Sequence, residues 1–348
     1  MLDPQYYIGI MSGTSLDGID CALTSITDTS IAVKQTHFQA FDQSLREQIA
    51  ELFTPCDNAI AKMGHLDVEL DRQFARSVNL LLEQANLPKE AIAAIGCHGQ
   101  TIRHHPHGSH PFSLQIGDPN IISEQTGIPT ITDFRRKDIA LGGQGAPLTP
   151  AFHDFLFQQR KEATWVVNIG GISNLTYLPQ APNEPVFGFD CGPGNALLDA
   201  HYGLHHNNTH YDANGDWAST GKNHTALLQA LLQDPFFQQA PPKSTGKEYF
   251  NLNWLTQHQQ HIDQPISNAD MQRTLLELTA HSIGQAIQKT NHPSTTLWVC
   301  GGGAHNSLLM TRLQDITHCH VRSTEEHLIP ADWVEATAFA WLAYRHLN

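Results

Sequence analysis

The sequence predicts an α/β protein of two domains with a cleft between them. Three observations carry that expectation. At 348 residues the chain is long enough for two domains, on a scale of about 150 residues each. Short apolar runs alternate with segments whose apolar residues recur every three or four positions, the trace of layered strands and helices. Two segments with the same plan, apolar run, glycine-and-hydroxyl turn, apolar run, open the two halves, with Gly171 following Gly13 by 158 positions.

Taken in order, residues 6–11 and 19–23 form a hairpin around the small polar residues Ser12 to Gly18, where Asp17-Gly18 is a favoured turn pair. Helical spacing follows at 44–52 and 63–85, then an apolar strand at 92–97. The second hairpin joins 165–169 to 175–178 through Gly170-Gly171-Ile172-Ser173-Asn174. A strand at 187–190, helices at 196–202, 225–233 and 270–289, and a strand at 297–300 complete the pattern. A last helix carries Glu335, Phe339 and Leu342 on one face, while 234–264, rich in Pro, Gln and Asn, reads as loop. The expected domains are 1–140, joined by the C-terminal helix 331–348, and 141–330.

Composition narrows the function classes. With 40% hydrophobic and 16% charged residues the chain reads as a soluble globular protein. Its net charge of -14 argues against a nucleic-acid partner, since a basic surface would have to be local. No apolar stretch approaches the ~20 residues that span a bilayer, and the start lacks the basic-then-apolar plan of a secretory signal. A cytoplasmic protein with no membrane partner is expected. Six cysteines (Cys21, Cys56, Cys97, Cys191, Cys300 and Cys319) lie far apart without a C-x-x-C pair, which points to reduced thiols. The 22 histidines outnumber the 20 lysines and arginines. Two clusters, His104, His105, His107 and His110, and His201, His205, His206 and His210, lack an H-E-x-x-H arrangement or cysteine pairs and read as loop histidines rather than metal ligands.

Chemistry concentrates in a few segments. At Gly9-Ile10-Met11-Ser12-Gly13-Thr14-Ser15-Leu16-Asp17-Gly18-Ile19-Asp20, small residues at a hairpin tip let backbone N–H groups approach an anion, and three hydroxyls add donors; an ordinary glycine turn is the alternative. No Walker loop is present, because Gly246-Lys247 is followed by Glu248, and no G-x-G-x-x-G follows a strand. Near the C-terminus an apolar strand runs into Gly301-Gly302-Gly303 and a helix start, allowing flat contact with a base or ribose. Asp190 ends the apolar run Phe187-Gly188-Phe189 and is separated by Gly192-Pro193-Gly194 from Asn195, the expected cap of the next helix, so it stands too early to be a simple cap. A carboxylate there could take a proton from a nucleophile. Cys97-His98-Gly99-Gln100-Thr101 follows an apolar strand, as does Thr132-Asp133-Phe134-Arg135-Arg136, and polar groups at strand ends build sites in open α/β sheets. For Asp133 and the arginines a surface ion pair is the alternative, and for Glu335 a capping-box pattern with Asp332. Lys243-Ser244-Thr245-Gly246-Lys247 either closes over phosphate or is a solvated loop.

Together the two hairpins and the triple-glycine turn resemble the sugar kinase, Hsp70 and actin superfamily, with its ribonuclease H-like, actin-like ATPase fold. Within it, Met11 to Gly18, Gly99-Gln100-Thr101, Asn168 to Asn174, Asp190 to Asn195 and Gly301-Gly302-Gly303 are similar to the anhydro-N-acetylmuramic acid kinases of peptidoglycan recycling, over nearly the whole chain. The resemblance implies ATP held by Gly13, Thr14, Ser15, Leu16, Asp17, Gly18, Ile19 and Asp20, by Asn168, Gly170, Gly171, Ser173 and Asn174, and by Gly301, Gly302 and Gly303. It implies Asp190 as the catalytic base, and His98, Gln100, Thr101, Asp133, Arg135 and Glu335 as ligands of a small anhydro amino sugar. Mg²⁺ is implied with no assigned carboxylate: most of the superfamily place an Asp where this chain has Met11, leaving Asp17 and Asp20 as candidates. A homodimer is compatible with this reading. The rival readings are a nucleotide-switched ATPase or another sugar kinase of the superfamily.

Overall fold

A computed structural model of the chain describes residues 5–106, 108–181, 183–206, 211–260, 262, 264–327 and 329–348. His107 and His210 of the histidine clusters, and the first four residues, lie outside them. The described chain divides into two compact units, the first ending at Leu156 and completed by Trp333–Asn348, the second running over Phe157–Asp332.

The first unit is built on β1 (Gln5–Ser12), β2 (Gly18–Thr27), β3 (Ser30–Ala40), β4 (Ile92–His105), β5 (Phe112–Ile116) and β6 (Thr130–Ile131). Their order is β3-β2-β1-β4-β5, with β6 also on β4. The β1–β2 and β2–β3 pairs are antiparallel and β1–β4 is parallel. β1 is buried on both faces from Tyr7 onward, as a central strand covered on two sides must be. One cover is the helix Ala59–Ala85, which buries Leu66, Leu70, Phe74, Val78 and Leu81, one residue per turn. The other is the last helix, Val334–Leu347. Gly9 and Gly96, paired in register across β1 and β4, let it approach: a Cβ on Gly9 would lie 1.7 Å from the Ala336 carbonyl oxygen, and one on Gly96 2.0 Å from that of Phe339. Only hydrogen fits at either position.

The second unit repeats the plan. It contains β7 (Thr164–Ile169), β8 (Ile172–Leu178), β9 (Phe187–Pro193), β10 (Thr296–Cys300) and β11 (His320–Ser323), ordered β11-β10-β7-β8-β9. Again the first three strands meander and the first pairs parallel with the fourth. Its core gathers Trp165, Val167, Leu175, Phe189, Leu275, Leu278 and Ile283, the last three from the helix Asn268–Thr290.

Several elements differ from the sequence expectation. The turn of the first hairpin is Gly13–Asp17, and Gly18 begins β2 because its backbone pairs with Ala40. β4 continues to His105 because its polar half pairs with β5, and β9 continues three residues past Asp190. The segment read as loop contains the helices Pro235–Gln238 and Leu252–Gln259. Asn195 makes no side-chain cap; its amide nitrogen donates to the Ile169 carbonyl at 3.3 Å. Among the described residues the cysteines are unpaired, and no helix is long and apolar enough to cross a membrane.

Candidate active site

In the first unit the hairpin turn closes by Leu16 N–H donating to the Gly13 carbonyl at 3.2 Å, with Leu16 in the left-handed region at φ 61°. Leu16, Gly18 and Ile19 are buried, Thr14, Ser15 and Asp17 are exposed, and Gly13 and Asp20 are half-buried. A buried apolar anchor thus presents two hydroxyls outward, the arrangement a phosphate turn needs. Ser12 ties the turn to β4: its hydroxyl lies 2.6 Å from Gln100 Oε1 and 3.1 Å from the Gly18 carbonyl.

The residues expected to meet the sugar fall into two groups. His98 and Arg135 are joined, and His98 and Gln100 both meet Ser12. Gln100 is fully buried, and its Nε2 donates to the Thr101 carbonyl at 3.2 Å. Arg135 Nε donates to His98 Nε2 at 2.8 Å, and Arg135 Nη1 to the Gly145 carbonyl at 2.7 Å. The His98 ring lies 4.9 Å from that of Phe339, one turn along the same helix from the half-buried Glu335. Thr101 Oγ1 accepts from Gln115 Nε2 at 3.0 Å. Asp133 stands apart, in an exposed ion pair with Arg136 at 3.3 Å. Asp332 meets His305 Nε2 at 2.8 Å, and the last helix begins without a side-chain cap.

In the second unit the Gly170-Gly171 turn is held by backbone. Gly194 N–H and Ala196 N–H donate to the Gly171 carbonyl at 2.9 and 3.1 Å, and Asn195 N–H to that of Gly170 at 2.8 Å. Gly194 must be glycine, because a Cβ would lie 2.3 Å from the Gly170 carbonyl oxygen. Ser173 Oγ and Asn174 Oδ1 are buried with no hydrogen-bond partner, polar capacity left in the wall of this turn. The triple-glycine turn packs on the same strand: a Cβ on Gly301 would meet Asn168 Oδ1 at 2.4 Å, and one on Gly303 the Ile169 side chain at 2.4 Å. Gly302 is the open position of the three, its nearest neighbour the Asn195 amide at 3.6 Å. These features fit a nucleotide laid on side-chain-free backbone.

Asp190 is nearly fully buried and is gripped by a strap, Lys243-Ser244-Thr245-Gly246-Lys247. Its N–H donates to the Lys243 carbonyl at 3.0 Å, and its Oδ2 accepts from Thr245 N–H at 2.9 Å. Lys243 is buried at the start of the strap, its Nζ donating to the Phe236 carbonyl at 3.0 Å and lying 4.3 Å from the Phe236 ring; burial holds its pKa below the ordinary lysine value. Asp234 anchors both flanks, accepting from Phe236 N–H, Trp254 Nε1 and the Tyr249 hydroxyl, each at 2.8 Å. The other contact missed, Gly145, lies in a Gly142-Gly143-Gln144-Gly145 run that signals a turn but not its arginine.

Several of the described cluster histidines have partners within the fold. His104 Nδ1 lies 3.0 Å from the Ser113 hydroxyl, His201 Nδ1 lies 2.8 Å from Gln272 Oε1, and His206 stacks on Tyr202 at 3.9 Å. Among the described residues no group of three His, Cys, Asp or Glu could hold a metal ion.

Two sheets of one strand order, each with a glycine turn between its first two strands, and a triple-glycine turn packed on the second, form a twice-repeated ribonuclease H-like fold. The family model described as anhydro-N-acetylmuramic acid kinase matches residues 5–348, and the chain belongs to that family. It is 49% identical over 345 residues to a Coxiella burnetii (strain RSA 493 / Nine Mile phase I) protein of that name, covering 99% of this chain and 91% of the relative. It is 48% identical over 351 residues to the Mannheimia succiniciproducens protein of that name, covering 99% and 93%, and 47% identical over 351 residues to that of Saccharophagus degradans, covering 100% and 94%.

Proposed function

We propose that the protein uses ATP and water to convert 1,6-anhydro-N-acetylmuramic acid to N-acetylmuramic acid 6-phosphate and ADP. Asp190, nearly fully buried and held at both its backbone N–H and its Oδ2, is the observation that carries this reading. Water attacks the anomeric carbon and gives a proton to Asp190, the C1–O6 bond breaks, and O6 takes the γ-phosphoryl group. A rigidly held carboxylate suits this task, since general-base catalysis requires the base within hydrogen-bond reach of the proton it removes.

The first unit supplies the Gly13–Asp17 turn for phosphate and Arg135 for the lactyl carboxylate, with Gln100, Thr101 and Glu335 as further candidates for contact with the sugar. The second supplies Asp190, the Gly170-Gly171 turn and the Gly301-Gly302-Gly303 surface for the nucleotide. Mg²⁺ would arrive with ATP and neutralise phosphate charge; Asp17 and Asp20 are the nearest carboxylates in sequence to the phosphate turn, and one or two suffice when phosphates provide the remaining ligands. ATP as phosphoryl donor and a cell-wall fragment as substrate are consistent with a cytoplasmic protein that recycles such fragments.

The experiment is turnover of the anhydro sugar with ATP and Mg²⁺ in ¹⁸O-labelled water, with the product weighed. One label at C1 and one added phosphate are expected. A phosphorylated product that keeps the anhydro ring would exclude water attack, and ATP hydrolysis without sugar turnover would favour a nucleotide-switched ATPase.

A further inference from the structure

His98 sits within the buried run of β4 and is 5% exposed. Both ring nitrogens are spoken for. Nδ1 lies 2.7 Å from the Gly99 carbonyl oxygen and 3.2 Å from that of Ser12, and Nε2 lies 2.8 Å from Arg135 Nε. An arginine Nε–H can only donate and a carbonyl can only accept. The tautomer follows: the proton is on Nδ1, and Nε2 is the acceptor. A second proton would set an N–H against the guanidinium. Burial and Arg135 act in the same direction, pushing the His98 pKa down to about 3.

We propose that His98 is a positioning residue and not a sugar ligand: a neutral imidazole that orients the Arg135 guanidinium and ties it to the backbone of the phosphate turn at Ser12. The inference rests on the reading that Arg135 receives the carboxylate of an anhydro muramic acid. Chemistry gives a reason for a histidine here. A neutral acceptor fixes the guanidinium fork without itself placing a negative charge beside it. The second tether, Arg135 Nη1 on the Gly145 carbonyl at 2.7 Å, is likewise uncharged.

The test compares His98→Gln, which keeps an acceptor near the Nε2 position, His98→Asn, which keeps a donor near Nδ1 only, and His98→Leu, which keeps neither. Each is made alone and with Arg135→Met. His98→Leu is expected to raise KM for the anhydro sugar acid by about 10- to 100-fold, the scale of one hydrogen bond to a charged group, with KM for ATP within about twofold. His98→Gln should recover most of the loss and His98→Asn little. In the Arg135→Met background all three should add nothing further, because coupled residues are not additive. Additive losses, equal rises in both KM values, or rescue by Asn and not by Gln would overturn the proposal. A readout independent of turnover is the ¹⁵N spectrum of the His98 ring, which should report a proton on Nδ1 and a bare Nε2 from pH 5 to 8. A protonated Nε2 in that range would also overturn it. Wild-type protein that leaves the sugar untouched would instead refute the functional reading, while the ¹⁵N signal still decides whether the tie exists.

Discussion

The two units share one strand order but differ in the contacts nearest their candidate site residues. In the first, side chains do the holding: Gln100 takes the Ser12 hydroxyl, His98 takes Arg135, and Asp138 Oδ2 accepts from Gly145 N–H at 2.7 Å. In the second, the main chain does it: amides of residues 194–196 hold the Gly170-Gly171 turn, and the Lys243 carbonyl and Thr245 amide hold Asp190. A repeated sheet therefore fixes where loops emerge without fixing how they are organised. Side-chain holding can be retuned by single substitutions and by pH. Main-chain holding is indifferent to most side chains but intolerant where a Cβ would enter.

The largest effect that can test this contrast is expected at the held group itself. Asp190→Asn should keep ATP affinity, read by titration, and lose roughly 10²- to 10⁴-fold in ADP release with the sugar present; near-normal turnover would remove Asp190 from its role. Next comes the glycine intolerance of the second unit. Gly194→Ala drives a methyl into a backbone carbonyl and should cost about 1–3 kcal/mol in urea unfolding. Gly171→Ala meets only the Lys247 side chain, at 2.3 Å, which can swing away, so a cost below about 1 kcal/mol is expected. Equal costs would mean that the turn is not locked by the 194–196 amides.

pH should expose the first unit. Burial raises the Asp71 carboxyl, on the helix Ala59–Ala85, from 3.8 to about 8, and lowers His98 and His153 from 6.5 to about 3. A carboxyl that keeps its proton in the folded state contributes stability that is full below pH 3.8 and is lost as pH rises toward 8. The two neutral histidines act in reverse, losing theirs as pH falls from 6.5 toward 3. Each slope is up to about 1.4 kcal/mol per pH unit. Above pH 6.5 Asp71 acts alone among the three, so Asp71→Asn should grow more stable relative to wild type between pH 6.5 and 8, and a flat difference would place Asp71 in a solvated site. The smallest effect is the most discriminating for the strap. Thr245→Ala should change turnover by less than about twofold, because Asp190 uses the Thr245 amide and not its hydroxyl; a loss above tenfold would show that the side chain is needed.

How much was legible in the sequence follows from the same contrast. The hairpins, the glycine turns and the helices over 63–85 and 270–289 announce themselves through periodicity and turn residues. β3 does not, because as an edge strand it has no buried position, and the polar half of β4 is a strand only because β5 pairs with it. The grip on Asp190 carried no signal, since backbone N–H and C=O groups look alike in every sequence. The contacts of His98 carried none either: a polar residue at this point of a strand reads as a ligand, and only the distances place its nitrogens against Arg135 and the backbone of Ser12 and Gly99.

The glycine pair Gly9 and Gly96 has a consequence for the order in which the molecule is made. The helix they admit, Val334–Leu347, follows the whole second unit in the chain, yet it covers the first sheet. Throughout synthesis of the second unit the small faces of β1 and β4 wait without that cover, so the second unit is the first whose parts are all present. A nascent chain made as far as Asp332 lacks the Ala336 and Phe339 side chains that pack on Met11 and Ala22, and so leaves apolar surface of the kind that chaperones bind and that aggregates when they do not.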